Sequence, residues 1–244
     1  MKKTYKSEFM PYWLVQWYCS LTVLAWVLNY FFGTNFSSKD NFDLLGIANR
    51  SRWNRSDLLS LHQIALFLER SYLNVTIYTG MSASDTNISL TWSREEKTQI
   101  LKKYIHEDFH HNIEDWRWQF EDWGSVDMID DLLDNRIKKS TIWREYKTSA
   151  NHIQQAIKEN QWPWVLFVLW CNRWILHEWH THKKDWEWHI VACSWITDEN
   201  MCIIHEPNYP RPNPHYIKVS QVIDSMSDLW WIEMIKIVDN YLHV

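Results

Sequence analysis

The sequence predicts an α+β fold, with helices in the first part of the chain and strands in the last part. Apolar residues at helical spacing and helix-capping residues predict helices at 20–32, 58–72, 93–106, 149–160 and 220–226. Short apolar runs bounded by turn residues predict strands at 75–78, 165–169, 189–196, 201–205, 216–219 and 232–238. Helices that precede the strands, without regular alternation, are typical of α+β proteins.

We expect the whole chain, 1–244, to form a single domain, because this length can bury one large core. The helical half would cover about 1–160 and the sheet half about 161–244. Residues 107–147 are acidic, and their weaker apolar pattern predicts a helical insertion.

An apolar run at 10–32 follows three lysines, an arrangement that resembles a signal peptide or a membrane anchor. Four polar side chains interrupt the run, and no small-residue cleavage site follows it. We therefore expect a core helix that ends near Gly33, no membrane domain and a cytoplasmic location.

The overall composition argues against nucleic acid as a partner and against a disulfide framework. A net charge of −5 provides no basic surface for nucleic acid. The four cysteines show no CxxC spacing, so they indicate free thiols in a reducing compartment rather than a disulfide framework. No cofactor motif is present, and none is expected.

The segment WHIVACSWITDENMCIIHEP, residues 188–207, predicts a β-hairpin because two apolar runs surround a polar turn. Centring the turn places Ile196 opposite Met201. The same register makes His189 a diagonal neighbour of Glu206 on one face, about 7–8 Å away and within reach of long side chains. A histidine with a nearby carboxylate is a general base with its orienting acid.

Cys19 provides a candidate nucleophile for this pair, since it lies at the start of the first predicted helix. The positive end of a helix dipole and a paired histidine both favour a thiolate. A cysteine near the beginning of the chain, with His189 and Glu206 far downstream, follows the papain-type order.

Three segments resemble the papain-fold peptidases related to bacteriocin double-glycine leader peptidases. They are PYWLVQWYCSLTVLAWVLNYF, ANHIQQAIKENQWPWVLFVLW and DWEWHIVACSWITDENMCIIHEP, in the family's order. The resemblance implies a cysteine peptidase that cleaves a peptide or other acyl substrate through an acyl-enzyme. It also implies that Cys19 is the nucleophile, His189 the base, Glu206 the orienting acid and Gln16 an oxyanion donor. Glu206 stands where that family usually has Asp, and Gln16 lies unusually close to Cys19.

Tryptophan occupies several positions where that family has glycine, among them Trp162, Trp188 and Trp195. The chain has 19 tryptophans but only 4 glycines, whereas glycine averages about 7% of residues. We hypothesise that several of these codons are UGA, specifying glycine in the source organism but translated here as tryptophan.

Three alternative functions remain open from the sequence. An acyltransferase would use the same covalent intermediate, and a non-catalytic binding module would have its cleft blocked by Trp188. A metal-binding protein would take its ligands from the histidine-rich loop and two cysteines. Those candidate ligands are His177, His180, His182, His189, Cys171 and Cys193.

Overall fold

A mixed seven-stranded sheet is the centre of the computed structural model, which describes residues 19–34, 61–86, 99, 102–103, 141–177, 188–207, 214–227 and 232–239. Its strands are β1 (Leu73–Thr79), β2 (Trp143–Glu145), β3 (Val165–Asn172), β4 (Trp188–Ile196), β5 (Met201–His205), β6 (His215–Lys218) and β7 (Glu233–Asp239). They lie in the order β2-β1-β7-β3-β4-β5-β6. Strands β1 and β2 pair in parallel, and all other neighbouring pairs are antiparallel.

Helices complete an α+β architecture, as the sequence predicts. Within the described ranges the longer helices are α1 (Cys19–Phe32), α2 (Leu61–Arg70), α4 (Ala150–Glu159) and α6 (Val219–Ser227). Two four-residue helices, α3 (Ala83–Thr86) and α5 (Arg173–Leu176), lie between them. No helix in this part of the chain is long and apolar enough to cross a membrane.

Both faces of the sheet are covered, as the burial of β3 shows, because all eight of its residues are buried. On one face, Phe167 and Leu169 share a core with residues of α4 and α6, including Ile153 and Met226. The alternate residues of β3, such as Val168, are buried on the opposite face. Helix α1 packs against β4, and α2 packs against β1 and β7. The start of α1 is therefore held close to β4.

Two helix ends follow directly from the sequence. Gly33 takes a left-handed φ of +63° after α1, and its N–H donates to the carbonyl oxygen of Asn29 at 3.0 Å. Glycine favours this conformation because it has no Cβ. At the other end of a helix, Ser149 caps α4 in a capping box with His152. These two predicted boundaries, near Gly33 and at Ser149, are confirmed.

The sheet also includes strands from the half of the chain that the sequence predicts to be mainly helical. Strands β1 and β2 both belong to the first 160 residues, and β1 lies inside the sheet between β2 and β7. Strand β2 also lies within 107–147, which the sequence predicts to be a helical insertion, and its parallel pairing makes the sheet mixed. The backbone N–H and hydroxyl of Thr141 both donate to Glu69 Oε1, at 3.2 and 2.9 Å, beside this edge. A three-residue edge strand is too short to give a periodic pattern.

Other predicted elements lie partly outside the described residues. Most of the predicted helix 93–106 does so, although residues 99 and 102–103 are helical. The beginning of the predicted helix 58–72 is also outside the described ranges. All six predicted strands are present; 201–205 has the predicted ends, and the other five have at least one end that differs by one to three residues.

The hairpin of β4 and β5 forms as predicted, but its register at the turn is one residue out. Ile196 pairs with Cys202 instead of Met201. The N–H of Thr197 donates to the carbonyl oxygen of Met201 at 2.8 Å, so these residues close the turn. Asn200 takes a left-handed φ of 62° there, a conformation that asparagine tolerates better than most side chains.

The tryptophans whose side chains are described range from buried to exposed, and Trp164 is partly buried. Trp26 and Trp170 are buried, with 1% and 4% of their surface exposed. Trp143, Trp162 and Trp195 project into solvent, at 66%, 53% and 37%. The left-handed positions of these segments belong to Tyr72, Lys147, Asn200 and Gly33, and to no tryptophan. The exposed group includes two of the positions where the resemblance implies glycine.

Candidate active site

His189 and Glu206 form a buried hydrogen-bonded pair. His189 is the second residue of β4, and Glu206 directly follows β5. His189 Nε2 lies 2.5 Å from Glu206 Oε1, and the two side chains are 1% and 0% exposed. Because a carboxylate only accepts hydrogen bonds, Nε2 of His189 must carry the donated proton.

A β-bulge at 193–195 brings these two residues together despite the altered turn. It shifts the β4–β5 register by one residue, as an extra residue on one strand does. Beyond the bulge Ala192 pairs with His205, which restores the register that the sequence predicts. Because Glu206 directly follows His205, this register places its carboxylate within reach of the His189 side chain.

Cys19 approaches the same histidine from the start of α1. A side-chain hydrogen bond with Cys19 is one of the causes that raise the pKa of His189. Since Nε2 of His189 is occupied by Glu206, the other ring nitrogen, Nδ1, is left for the sulfur. Cys19 is 6% exposed and is the first residue of α1.

The surroundings of His189 favour its protonated form. Burial by itself would lower the pKa of this imidazole. The negative charge of Glu206 and the hydrogen bonds to Cys19 and Glu206 outweigh burial, and they raise the pKa of His189 to about 10. An imidazolium between a thiol and a carboxylate is the arrangement that stabilises a thiolate at neutral pH.

A second cysteine, Cys171, lies close to this site but has a different character. It pairs with His189 in the β3–β4 register, and its thiol donates to the carbonyl oxygen of His189 at 3.6 Å. Burial, together with the charges of Glu206 and Cys19, raises the pKa of Cys171 well above its usual value. Cys171 is therefore held as a neutral thiol.

His177 also contacts the site, on the far side of Glu206. Its Nε2 lies 3.0 Å from Glu206 Oε2, and its side chain is 7% exposed. The sequence suggested His177 only as a metal ligand in a histidine-rich loop. No local pattern could have paired it with Glu206, because 29 residues separate the two.

Several predicted site residues lie outside the described ranges. Gln16, the expected oxyanion donor, precedes the first described residue, and His180 and His182 are also outside. Only the backbone of Trp188 is described, so its relation to a cleft is not defined. The parts of the chain that are described contain no group of three or more metal-ligating side chains placed to hold a metal ion.

Sequence comparison adds no relative to this picture. No protein-family model matches the chain, and no curated protein matches it.

Proposed function

We propose that this protein is a papain-like thiol hydrolase, most simply a cysteine peptidase that cleaves an amide bond through a covalent acyl-enzyme. One observation carries the proposal: His189 is hydrogen-bonded to the buried Glu206, and interaction with the Cys19 side chain is among the causes that raise its pKa. Nucleophile, base and orienting acid come from a helix start and two neighbouring strands, far apart in the sequence.

The chemistry begins with a Cys19 thiolate and a His189 imidazolium. Cys19 Sγ attacks the substrate carbonyl carbon, forming a C–S bond while the carbonyl π electrons move to oxygen. As the C–N bond breaks, the imidazolium gives its Nδ1 proton to the leaving amine. Water then attacks the thioester and transfers a proton to Nδ1, and the acid product leaves Cys19 as a thiolate. Glu206 keeps the His189 ring in one orientation during both steps.

The developing oxyanion would be stabilised at the beginning of α1. Free backbone N–H groups occur at every helix N-terminus, and they carry the positive end of the dipole. Cys19 lies there, so its own N–H is a candidate donor to the oxyanion. We retain Gln16 as a second candidate donor, on the resemblance alone.

The fold supports the same proposal. Helix α1 begins with the proposed nucleophile and packs against β4, the strand that carries the proposed base. The acid follows the adjacent antiparallel strand, β5. This relation between helix and sheet is what the papain-like resemblance implies, and we propose a papain-like fold on that basis.

A thiol-directed probe tests the proposal without a known substrate. We expect iodoacetamide to label wild-type protein rapidly at neutral pH. The Cys19→Ala variant should lack this fast labelling. His189→Ala should slow the labelling of Cys19, because its imidazolium no longer stabilises the thiolate. Peptide mass mapping identifies the labelled cysteine.

The chain contains a matched control for this experiment. Cys171→Ala removes a buried thiol next to the same histidine, and it should preserve fast labelling. Equal labelling of Cys19→Ala and wild type would exclude Cys19 as the nucleophile. Fast labelling that does not depend on His189 would exclude the proposed base.

A further inference from the structure

The Glu206 carboxylate lies between two histidines, and each of its oxygens is assigned to a different ring. Oε1 meets Nε2 of His189 at 2.5 Å, and Oε2 meets Nε2 of His177 at 3.0 Å. All three side chains are at most 7% exposed. The site therefore includes four side chains in the order Cys19, His189, Glu206 and His177, and His177 contacts the Glu206 oxygen that His189 does not contact.

We propose that His177 is a positioning residue, which fixes the Glu206 carboxylate so that this acid holds His189 in line with Cys19. This inference rests on the proposed function, and it adds a residue that neither the papain-type order nor the resemblance supplies. His177 contacts the acid through its ring nitrogen, so we place its action through Glu206.

The geometry gives this role a physical basis. A carboxylate bound through only one oxygen can rotate about its last torsion, whose preferences are weak. A donor at the second oxygen fixes the carboxylate plane, and a buried carboxylate without that donor would be costly. His177 must be the donor, because the carboxylate can only accept.

His177 is itself held by its neighbours. It follows α5 directly, and its backbone N–H donates to the carbonyl oxygen of Arg173 at 3.2 Å. The Gln221 side chain of α6 donates to the carbonyl oxygen of Leu176 at 2.7 Å. The ring of His215 meets that of His177 edge to face, with centroids 5.8 Å apart. Contacts of α5 and α6 therefore hold His177 in place beside Glu206.

Two substitutions separate the hydrogen bond from simple packing. His177→Gln can place an N–H close to the original Nε2 position, whereas His177→Phe keeps a ring but has no donor. The readout is the rate of Cys19 alkylation by iodoacetate as a function of pH. Because this reagent is anionic, its rate depends on the thiolate and on the adjacent imidazolium charge.

We expect His177→Phe to lower the iodoacetate rate at neutral pH by about tenfold or more, the effect of losing one hydrogen bond to a charged group. The basic limb of its pH profile, which reports loss of the His189 proton, should move about one pH unit lower. His177→Gln should keep a rate and a profile close to those of wild type.

His62→Phe is the matched control. His62 is a buried histidine 3.4 Å from the Glu233 carboxylate, on α2, which packs against β1 and β7. It should leave the iodoacetate profile unchanged. A second measurement is independent of the Phe variant: the imidazole N–H proton that His177 donates to Glu206 should give a downfield NMR signal in wild-type protein, and His177→Gln should lose that signal.

The outcomes also distinguish this inference from the function on which it rests. Absence of fast Cys19 labelling in wild type overturns the proposed function itself. If wild type labels in a His189-dependent manner while His177→Phe keeps the same rate and profile, only the positioning role is wrong. Equal losses in His177→Gln and His177→Phe would likewise overturn it, since the donor would then not matter.

Discussion

Cys171 and His189 lie directly opposite each other on β3 and β4, and the Cys171 thiol donates to the His189 carbonyl oxygen at 3.6 Å. The Cys171 thiol therefore contacts the backbone of His189, while the Cys19 side chain is among the causes that raise the pKa of the His189 ring. Two cysteines close to one histidine thus have opposite expected reactivities.

Replacing Cys171 should affect stability more than thiol reactivity. Cys171→Ala removes a fully buried sulfur, and we expect the free energy of unfolding to fall by about 1 kcal/mol. Urea denaturation measures this loss, and iodoacetamide labelling should continue at the wild-type rate. A large fall in labelling would show that Cys171 participates in the reactive thiol.

Glu206→Gln tests the electrostatic role of the acid at nearly constant volume. Without the carboxylate charge, burial should dominate and the pKa of His189 should fall from about 10. We expect iodoacetate labelling of Cys19 at neutral pH to slow by about 100-fold or more. Glu206→Asp keeps the charge on a shorter side chain, so its Cys19 should be labelled faster than that of Glu206→Gln. The reverse order would contradict this role of Glu206.

Stability should depend on pH in two separate windows. The folded pKa of His189, about 10, exceeds the ordinary 6.5, so its contribution is fully present below 6.5 and is lost as pH rises through 10. Burial and the nearby His215 lower the pKa of His205 to about 3. Protonation of the unfolded chain therefore reduces stability as pH falls from 6.5 towards 3.

Urea midpoints measured from pH 3 to pH 10 should be highest near pH 6.5, where the two windows meet. His189→Ala should flatten the alkaline limb, and His205→Ala should flatten the acidic limb. His205 is suited to this test because its ring is buried in the folded protein, where Nε2 lies 3.1 Å from Ser194 Oγ. Unchanged limbs in these two variants would assign the pH dependence to other groups.

Trp26 and Trp195 should respond differently to replacement by glycine. Trp26 is buried inside α1, so Trp26→Gly loses a large core side chain and helix propensity, about 4 kcal/mol or more. Trp195 is 37% exposed beside the β-bulge, and Trp195→Gly should cost about 1 kcal/mol or less. Urea denaturation compares them. If UGA encodes glycine in the source organism, the codon of Trp195 should be UGA; UGG at all 19 tryptophans would end that hypothesis.

The sequence by itself determined the local elements, because their causes are local. Gly33 ends α1 and Ser149 begins α4 through backbone conformation and capping. The polar turn between two apolar runs defined the hairpin, and its alternation placed His189 and Glu206 on one face. The early cysteine and the late histidine suggested a papain-type order, although sequence spacing carries no distance between them.

The tertiary structure decided how these pieces meet. Packing of α1 against β4 brings Cys19 to His189, and a bulge rather than the turn sets the final register of Glu206. The short parallel strand β2 and the His177 contact were not predictable, since neither has a periodic or local signal. Burial and the charges of Glu206 and Cys19 raise the pKa of Cys171, and these contacts join residues that are distant in the sequence.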